Sequence, residues 1–128
     1  RTKLDWGDYT GLTRIGEVTH SCPVRFERKS AGDLYGSFTS GYKRLRKRID
    51  QAKAEKGALY LIVEDSLTKI ASGIEYSTAD PRALLRRIFT VWMRHDVVPV
   101  FCVWPYEAGC YVKLFYEAWG KNLNPNWP

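Results

Sequence analysis

Methionine is almost missing from this 128-residue chain: Met93 stands alone, so Arg1 is not a translation start and an upstream segment is expected. Histidine is nearly as scarce. His20 and His95 have no partner at ligand spacing, which leaves both as structural side chains. The three cysteines, Cys22, Cys102 and Cys110, are odd in number and none lies at a metal-ligand spacing. They read as reduced thiols of a cytoplasmic protein, or a nuclear one in a eukaryote, and not as a disulfide framework or a zinc site. No apolar run approaches the ~20 residues that cross a bilayer, and no signal peptide is expected. No membrane association and no small-molecule cofactor is therefore expected.

What the chain has in surplus is positive charge. Twenty Lys and Arg against fourteen Asp and Glu give a net charge of +6 and a pI near 9.3. That balance favours a polyanionic partner, because each neutralised phosphate releases counterions. With 45% hydrophobic and 27% charged residues the composition is that of one globular domain. The domain is expected over residues 1–121, with 122–128 as a polar, proline-bearing tail.

Four apolar runs have strand character. Tyr9 to Ile15 and Cys22 to Glu27 are joined through Gly16 and look like a hairpin. Ala58 to Val63 is continuously apolar, as suits a strand buried on both faces, and Val97 to Trp104 has the same character. Pro99 argues that this last strand starts at or after that residue or lies at an edge. Helical signals alternate with the later strands. Ser30, with Asp33 three positions on, forms an N-cap pattern. Leu34, Phe38, Leu45, Ile49 and Ala52 then support helix to about Lys56, with a break near Ser40–Gly41 left open. Asp80-Pro81 starts a second helix that ends near His95, and a third runs from about Tyr106 to Trp119, stopping at Gly120. Strands alternating with helices imply an α/β domain with a mixed sheet.

The chemistry gathers at Glu27-Arg28-Lys29, where a strand ends and a helix opens. Side chains alternate along a strand, so Glu27 and Lys29 project from one face and Arg28 from the other. Asp8 supplies a second carboxylate upstream. Two carboxylates suit a hard divalent cation such as Mg²⁺ or Mn²⁺, bound through oxygen and keeping several waters. Such a cation polarises a phosphodiester and acidifies a bound water, and an adjacent ammonium orients that water or offsets developing charge.

Gly7-Asp8, Glu27-Arg28-Lys29 and Asp33 together resemble the Gly-Asp…Glu-Arg-Lys-x-x-x-Asp pattern of the XPF-type structure-specific nucleases, a branch of the PD-(D/E)xK restriction-endonuclease-like group. Leu4-Asp5-Trp6-Gly7-Asp8-Tyr9, Asp33-Leu34-x-x-Ser37 and Leu61-Ile62-Val63-Glu64 extend the likeness over most of residues 4 to 119. The resemblance implies a restriction-endonuclease-like mixed sheet flanked by helices, and an Mg²⁺- or Mn²⁺-dependent endonuclease acting on branched DNA, as a homodimer. It also implies metal ligation by Asp8 and Glu27, with Glu64 joining the carboxylate cluster. Lys29 would position or activate the water, and Arg28 and Asp33 would support the site.

The chain departs from that pattern in three places. The family's opening strand and helix would lie before Arg1. The glycine-arginine step followed by glutamine on the first helix is replaced by Gly41-Tyr42-Lys43-Arg44. The tandem helix-hairpin-helix domain that eukaryotic and archaeal members append is not expected within these 128 residues. Other readings remain for single residues: Asp33 as a helix-capping acid, Arg28 as a surface charge, Glu64 as a loop start. Lys43, Arg44, Arg46, Lys47 and Arg48 form the densest basic segment, a DNA-backbone grip or a solvated helix face, with Tyr42 placed to stack or pack nearby. Arg82, Arg86, Arg87 and Arg94 sit on a different helix and are weaker candidates. Tyr111, Phe115, Tyr116 and Trp119 recur at helical spacing, as core or as a dimer face. Two further functions fit the same fold: a non-catalytic DNA-binding scaffold, and a nuclease without junction specificity.

Overall fold

The computed structural model describes residues 4, 6–73 and 78–123. In chain order the elements are β1 (Leu12–Ile15), β2 (Val18–Ser21), β3 (Val24–Lys29), α1 (Ala31–Ser37), α2 (Tyr42–Ala54), β4 (Ala58–Val63), α3 (Leu67–Ala71), α4 (Pro81–His95), β5 (Pro99–Phe101) and α5 (Pro105–Asn122). The fold is α/β. Strands β3, β4 and β5 form a parallel sheet in that order, and β1 and β2 form a separate antiparallel hairpin.

The hairpin is shorter than expected and lies elsewhere. Gly16 takes φ +63°, so Gly16 and Glu17 make a two-residue turn that pairs Ile15 with Val18. Such turns match the right-handed twist of the flanking strands, and the hairpin closes locally. The run from Cys22 to Glu27 is thereby released to another partner. Pro23 lacks an amide hydrogen and separates β2 from β3, while its carbonyl accepts from the Ala58 amide at 2.8 Å, opening the parallel β3–β4 ladder. The sheet's mixed character comes from Tyr9, which forms an antiparallel bridge to Phe26 on the edge of β3 facing away from β4.

The helical segment after β3 is two helices. Ser30 caps α1 by accepting from the Asp33 amide at 3.2 Å, as the N-cap pattern predicts. Gly41 then donates to the Gly36 carbonyl at 2.8 Å, and a Cβ on Gly41 would stand 2.9 Å from that oxygen. Glycine there lets the chain turn tightly into α2. Asp80 and Pro81 open α4 as expected, the Asp80 carboxylate accepting from the Arg82 amide at 3.0 Å. Helix α5 runs past Gly120 to Asn122. Gly120 serves close packing, since a Cβ there would sit 3.2 Å from Thr13 Oγ1 on the hairpin. The short α3 carries no strong sequence signal.

The sheet separates two apolar layers. Leu59, Leu61 and Val63 of β4 face α1, α2 and α4, together with Trp6, Leu34, Leu45, Ile49, Leu84 and Ile88. Phe26, Ile62 and Cys102 face α5 through Ala108, Val112, Phe115 and Tyr116. Phe26 is fully buried, with edge-to-face contacts to Tyr60, Tyr111, Phe115 and Tyr116. Phe115 and Tyr116 are half-buried against this layer, whereas Tyr111 touches Phe26 but stays exposed. Cys22 and Cys102 are buried free thiols and Cys110 is an exposed one. Among the described residues no helix is long and apolar enough to cross a membrane.

Two side chains register this packing in measurable ways. The single Tyr116 O–H is shared between the carbonyls of Tyr9 (3.0 Å) and Val24 (2.8 Å), tying α5 to the Tyr9 segment and β3, and burial raises its pKa. Tyr116→Phe is expected to lower unfolding free energy by about 1–2 kcal/mol, read from chemical denaturation, because two carbonyls lose a donor. His95 sits against Arg46 and Lys53, and partial burial, then the Lys53 and Arg46 charges, lower its pKa from the ordinary 6.5. The unfolded chain then binds a proton that the folded one refuses, so stability falls as pH drops below about 6.5. Melting temperature measured between about pH 7.5 and 5.5 should decline in the natural chain and decline less in His95→Gln.

Candidate active site

Strands β3, β4 and β5 are parallel, so Lys29, Val63 and Phe101 end at one edge of the sheet, the edge where open α/β sheets present functional groups. The candidate site forms there, around the last three residues of β3.

Glu27 points toward α2 and is 5% exposed, the one buried charged residue among those described. A buried carboxylate requires compensating charge. Lys29, two residues on and on the same face, places Nζ 3.2 Å from Glu27 Oε2. Arg48 of α2 places Nη1 2.9 Å from Oε1 and 3.0 Å from Oε2. Glu27 is therefore held between two cations.

Arg28 projects from the opposite face, toward α5. Its Nε donates to Glu64 Oε1 at 2.7 Å and its Nη2 to Oε2 at 3.3 Å, the paired geometry that favours arginine. Its Nη1 also reaches the Tyr9 hydroxyl at 3.3 Å. Those two partners, Tyr9 first and then Glu64, raise its pKa. The alternation read from the sequence is thus realised, and it has a consequence for Glu64. Even-numbered Tyr60, Ile62 and Glu64 share the α5 face, so Glu64 stands across the sheet from Glu27 and binds Arg28. The expected three-carboxylate cluster of Asp8, Glu27 and Glu64 is not assembled. Among the described residues no three His, Cys, Asp or Glu side chains are grouped to hold a metal ion.

Asp8 reaches the site along the free edge of β3. Gly7 takes φ +74°, and a Cβ there would meet Arg25 Cβ at 3.0 Å. From that turn the amides of Asp8 and Tyr9 both donate to the Phe26 carbonyl, at 2.7 and 3.0 Å. Arg28 is the next residue whose amide faces the same edge, and it donates to Asp8 Oδ2 at 2.8 Å. Trp6 anchors the segment from behind: it is 4% exposed, its indole donates to Glu55 Oε2 at 2.9 Å, and the Arg25 guanidinium lies 4.2 Å from its ring centroid.

The remaining expected residues divide. Asp33 leaves capping to Ser30 and lines a groove between α1 and α2 with Lys29, Arg44 and Arg48. Lys43, Arg44 and Lys47 are exposed on α2. Arg46 is instead engaged by Asp50 (3.2 Å) and His95, and Arg48 by Glu27. Tyr42 is covered by the Arg87 guanidinium, 4.0 Å from its ring centroid, and so packs within the protein. Sequence reading missed Arg48 as the partner of Glu27. A signal was present: Leu45, Ile49 and Ala52 are the buried stripe of α2, and Arg48 flanks it one residue before Ile49.

Asp8 and Glu27 both offer carboxylate oxygens near the end of β3, Asp8 from the strand's edge and Glu27 from the α2 face. Carboxylate oxygen is the donor type that a hard divalent cation takes. Mg²⁺ is commonly held by one or two carboxylates, with water and substrate phosphate completing the shell.

No protein-family model matches the chain, and no curated protein matches it by sequence. Solved structures do match. XPF from Aeropyrum pernix superposes with a TM-score of 0.67 at 15% identity, over 91% of this chain and 51% of that one. The chain has an XPF-like nuclease fold. It spans about half the length of that neighbour.

The Gly7 turn is directly testable. Gly7→Ala is expected to destabilise the protein by about 1–3 kcal/mol, because alanine must adopt a left-handed backbone against the Arg25 side chain. The denaturation midpoint checks it, with unchanged stability the contrary result.

Proposed function

We propose that this domain is a divalent-metal-dependent endonuclease acting on branched DNA such as a flap, fork or Holliday junction. The observation that supports the reading is the Glu27–Lys29 ion pair at the carboxyl end of β3, with Asp8 held on the next residue's amide, within an XPF-like fold. Asp8 and Glu27 would hold Mg²⁺ or Mn²⁺, which when bound polarises the phosphodiester and lowers the pKa of a coordinated water.

The chain's own groups then have separable tasks. Lys29, anchored on Glu27, presents an ammonium that orients the attacking water or offsets charge on the phosphate. Arg28, tied to Glu64 and Tyr9, holds the end of β3 against β4 and the Tyr9 segment, fixing Asp8 through its own amide. Asp33, which lines the α1–α2 groove together with Lys29, would support the site. The exposed Lys43, Arg44 and Lys47 give the DNA backbone a cationic surface beside the site. Exposed Tyr106 and Leu114 on α5, with Val103 and Trp104 just before it, favour a homodimer through this end of the chain.

A second reading, a non-catalytic DNA-binding scaffold, is favoured by one observation: Glu27 is already satisfied by two internal cations. Calorimetric Mn²⁺ titration separates the two, since the scaffold predicts no specific binding.

Asp8→Ala, Glu27→Gln and Lys29→Ala are each expected to reduce Mg²⁺-dependent nicking of branched DNA by at least ~100-fold while circular dichroism stays unchanged. Full activity in any two of them refutes the assignment. Comparing linear duplex, flap and four-way-junction substrates tests the junction preference, and equal cleavage of all three identifies a nuclease without it.

A further inference from the structure

The groove between α1 and α2 has a volume of about 230 Å³ and is lined by Lys29, Asp33, Arg44 and Arg48, with Gly32 and Gly36 along its α1 wall. Nothing stands within 4 Å of where a Cβ would project from either glycine, so that wall is open backbone. Arg44 and Arg48 are four residues apart on α2 and enter from one side, while Lys29 enters from the end of β3. Three cations face one acid, Asp33. Among the described residues no carboxylate pairs with Arg44, whereas Lys29 and Arg48 share Glu27. The side chain of Arg48 is 42% exposed and that of Glu27 is 7% exposed, so the pair bridges open groove and buried site.

We propose that this groove is a phosphate-binding site for the DNA strand, coupled to the carboxylate site through Arg48, which binds Glu27 in the resting protein and a phosphodiester oxygen when a divalent cation takes its place. The inference rests on the nuclease reading above and adds to it a phosphate groove that adjoins the carboxylate site and shares Lys29 with it, and a link between the two.

The physical argument is one of shared charge. Arg48 occupies both oxygens of Glu27, and a divalent cation requires at least one of them. Two cations on one carboxylate repel across a few ångströms in a poorly hydrated place, so each weakens the other. Arg48 displaced from Glu27 retains a planar donor fork suited to phosphate. It also remains next to Arg44 in a groove whose positive surplus rises once Glu27 is neutralised. Metal and strand therefore favour each other, and the coupling must be reciprocal.

The test is calorimetric titration of Mn²⁺ alone and in the presence of a short single-stranded oligothymidylate, corrected for metal binding to the oligonucleotide itself. In the natural chain the oligonucleotide should tighten Mn²⁺ binding. Arg48→Gln keeps a hydrogen bond to Glu27 without the charge. It should bind Mn²⁺ alone on the order of tenfold more tightly, and the oligonucleotide should no longer enhance it. Arg48→Lys should fall between the two. Arg44→Gln should weaken oligonucleotide binding and flatten its salt dependence by about one unit of slope, with Mn²⁺ affinity unchanged. Equal Mn²⁺ affinity in the natural chain and Arg48→Gln, or surviving enhancement in the variant, overturns the coupling while leaving the nuclease reading in place. Unchanged oligonucleotide binding in Arg44→Gln overturns the groove as the phosphate site. Failure of every protein, natural chain included, to bind Mn²⁺ overturns both this inference and the nuclease reading.

Discussion

A carboxylate buried at the end of a strand has to be matched by positive charge, and the arrangement around the site follows from how Glu27 is matched. Isolated in the interior its charge would cost several kcal/mol. Lys29 supplies one partner at no conformational expense, because alternation along β3 already puts it on the same face. Arg48 supplies the other from α2, and it reaches Glu27 because Leu45, Ile49 and Ala52 dock that helix on the sheet. The tight α1–α2 turn at Gly41, the groove beside it and the cationic lining of that groove accompany this docking.

The opposite face of the same strand is organised around a different demand. Phe26 is enclosed by aromatic side chains from α5 and β4, and Arg28 above it completes the face by pairing with Glu64 and Tyr9. Tyr116 bonds to the carbonyls of Tyr9 and Val24, so the helix that covers Phe26 also holds the segment bearing Asp8. Asp8 then accepts through its side chain from the Arg28 amide, twenty residues away along the chain. The two faces are thus joined at the free edge of β3. A change in α5 packing has a direct structural route to the carboxylate site.

Under the proposed nuclease reading such a division suits phosphodiester chemistry, where positioning and electrostatics do most of the work. One face carries the buried acid and its ammonium neighbour. The other carries a rigid arginine–glutamate pair that braces the strand. Between them the exposed carboxylate of Asp8 sits on an amide, and the groove on the α2 side extends positive charge away from the reacting centre.

Local pattern was enough for several features. The parallel strand Ala58–Val63, the Ser30 and Asp80 caps, the start of α4 at Pro81 and the opposed faces of Glu27 and Arg28 all depend on neighbours a few residues away. The α/β class and the pairing of Glu27 with Lys29 follow from the same short-range rules. Tertiary structure decided what those rules leave open. The hairpin closed at Gly16–Glu17 because a local turn competes well with a distant strand, and β3 was left to pair in parallel with β4. Gly120 packs against Thr13 where composition alone suggested a helix stop. Glu64 turned to Arg28, since strand register put it on the far face from Glu27, and Arg48 turned to Glu27, since helix docking aimed it there. Each of these joins residues at least twenty positions apart or depends on which of two faces meets a neighbour. Periodicity shows that such faces exist, but only packing settles what each one touches.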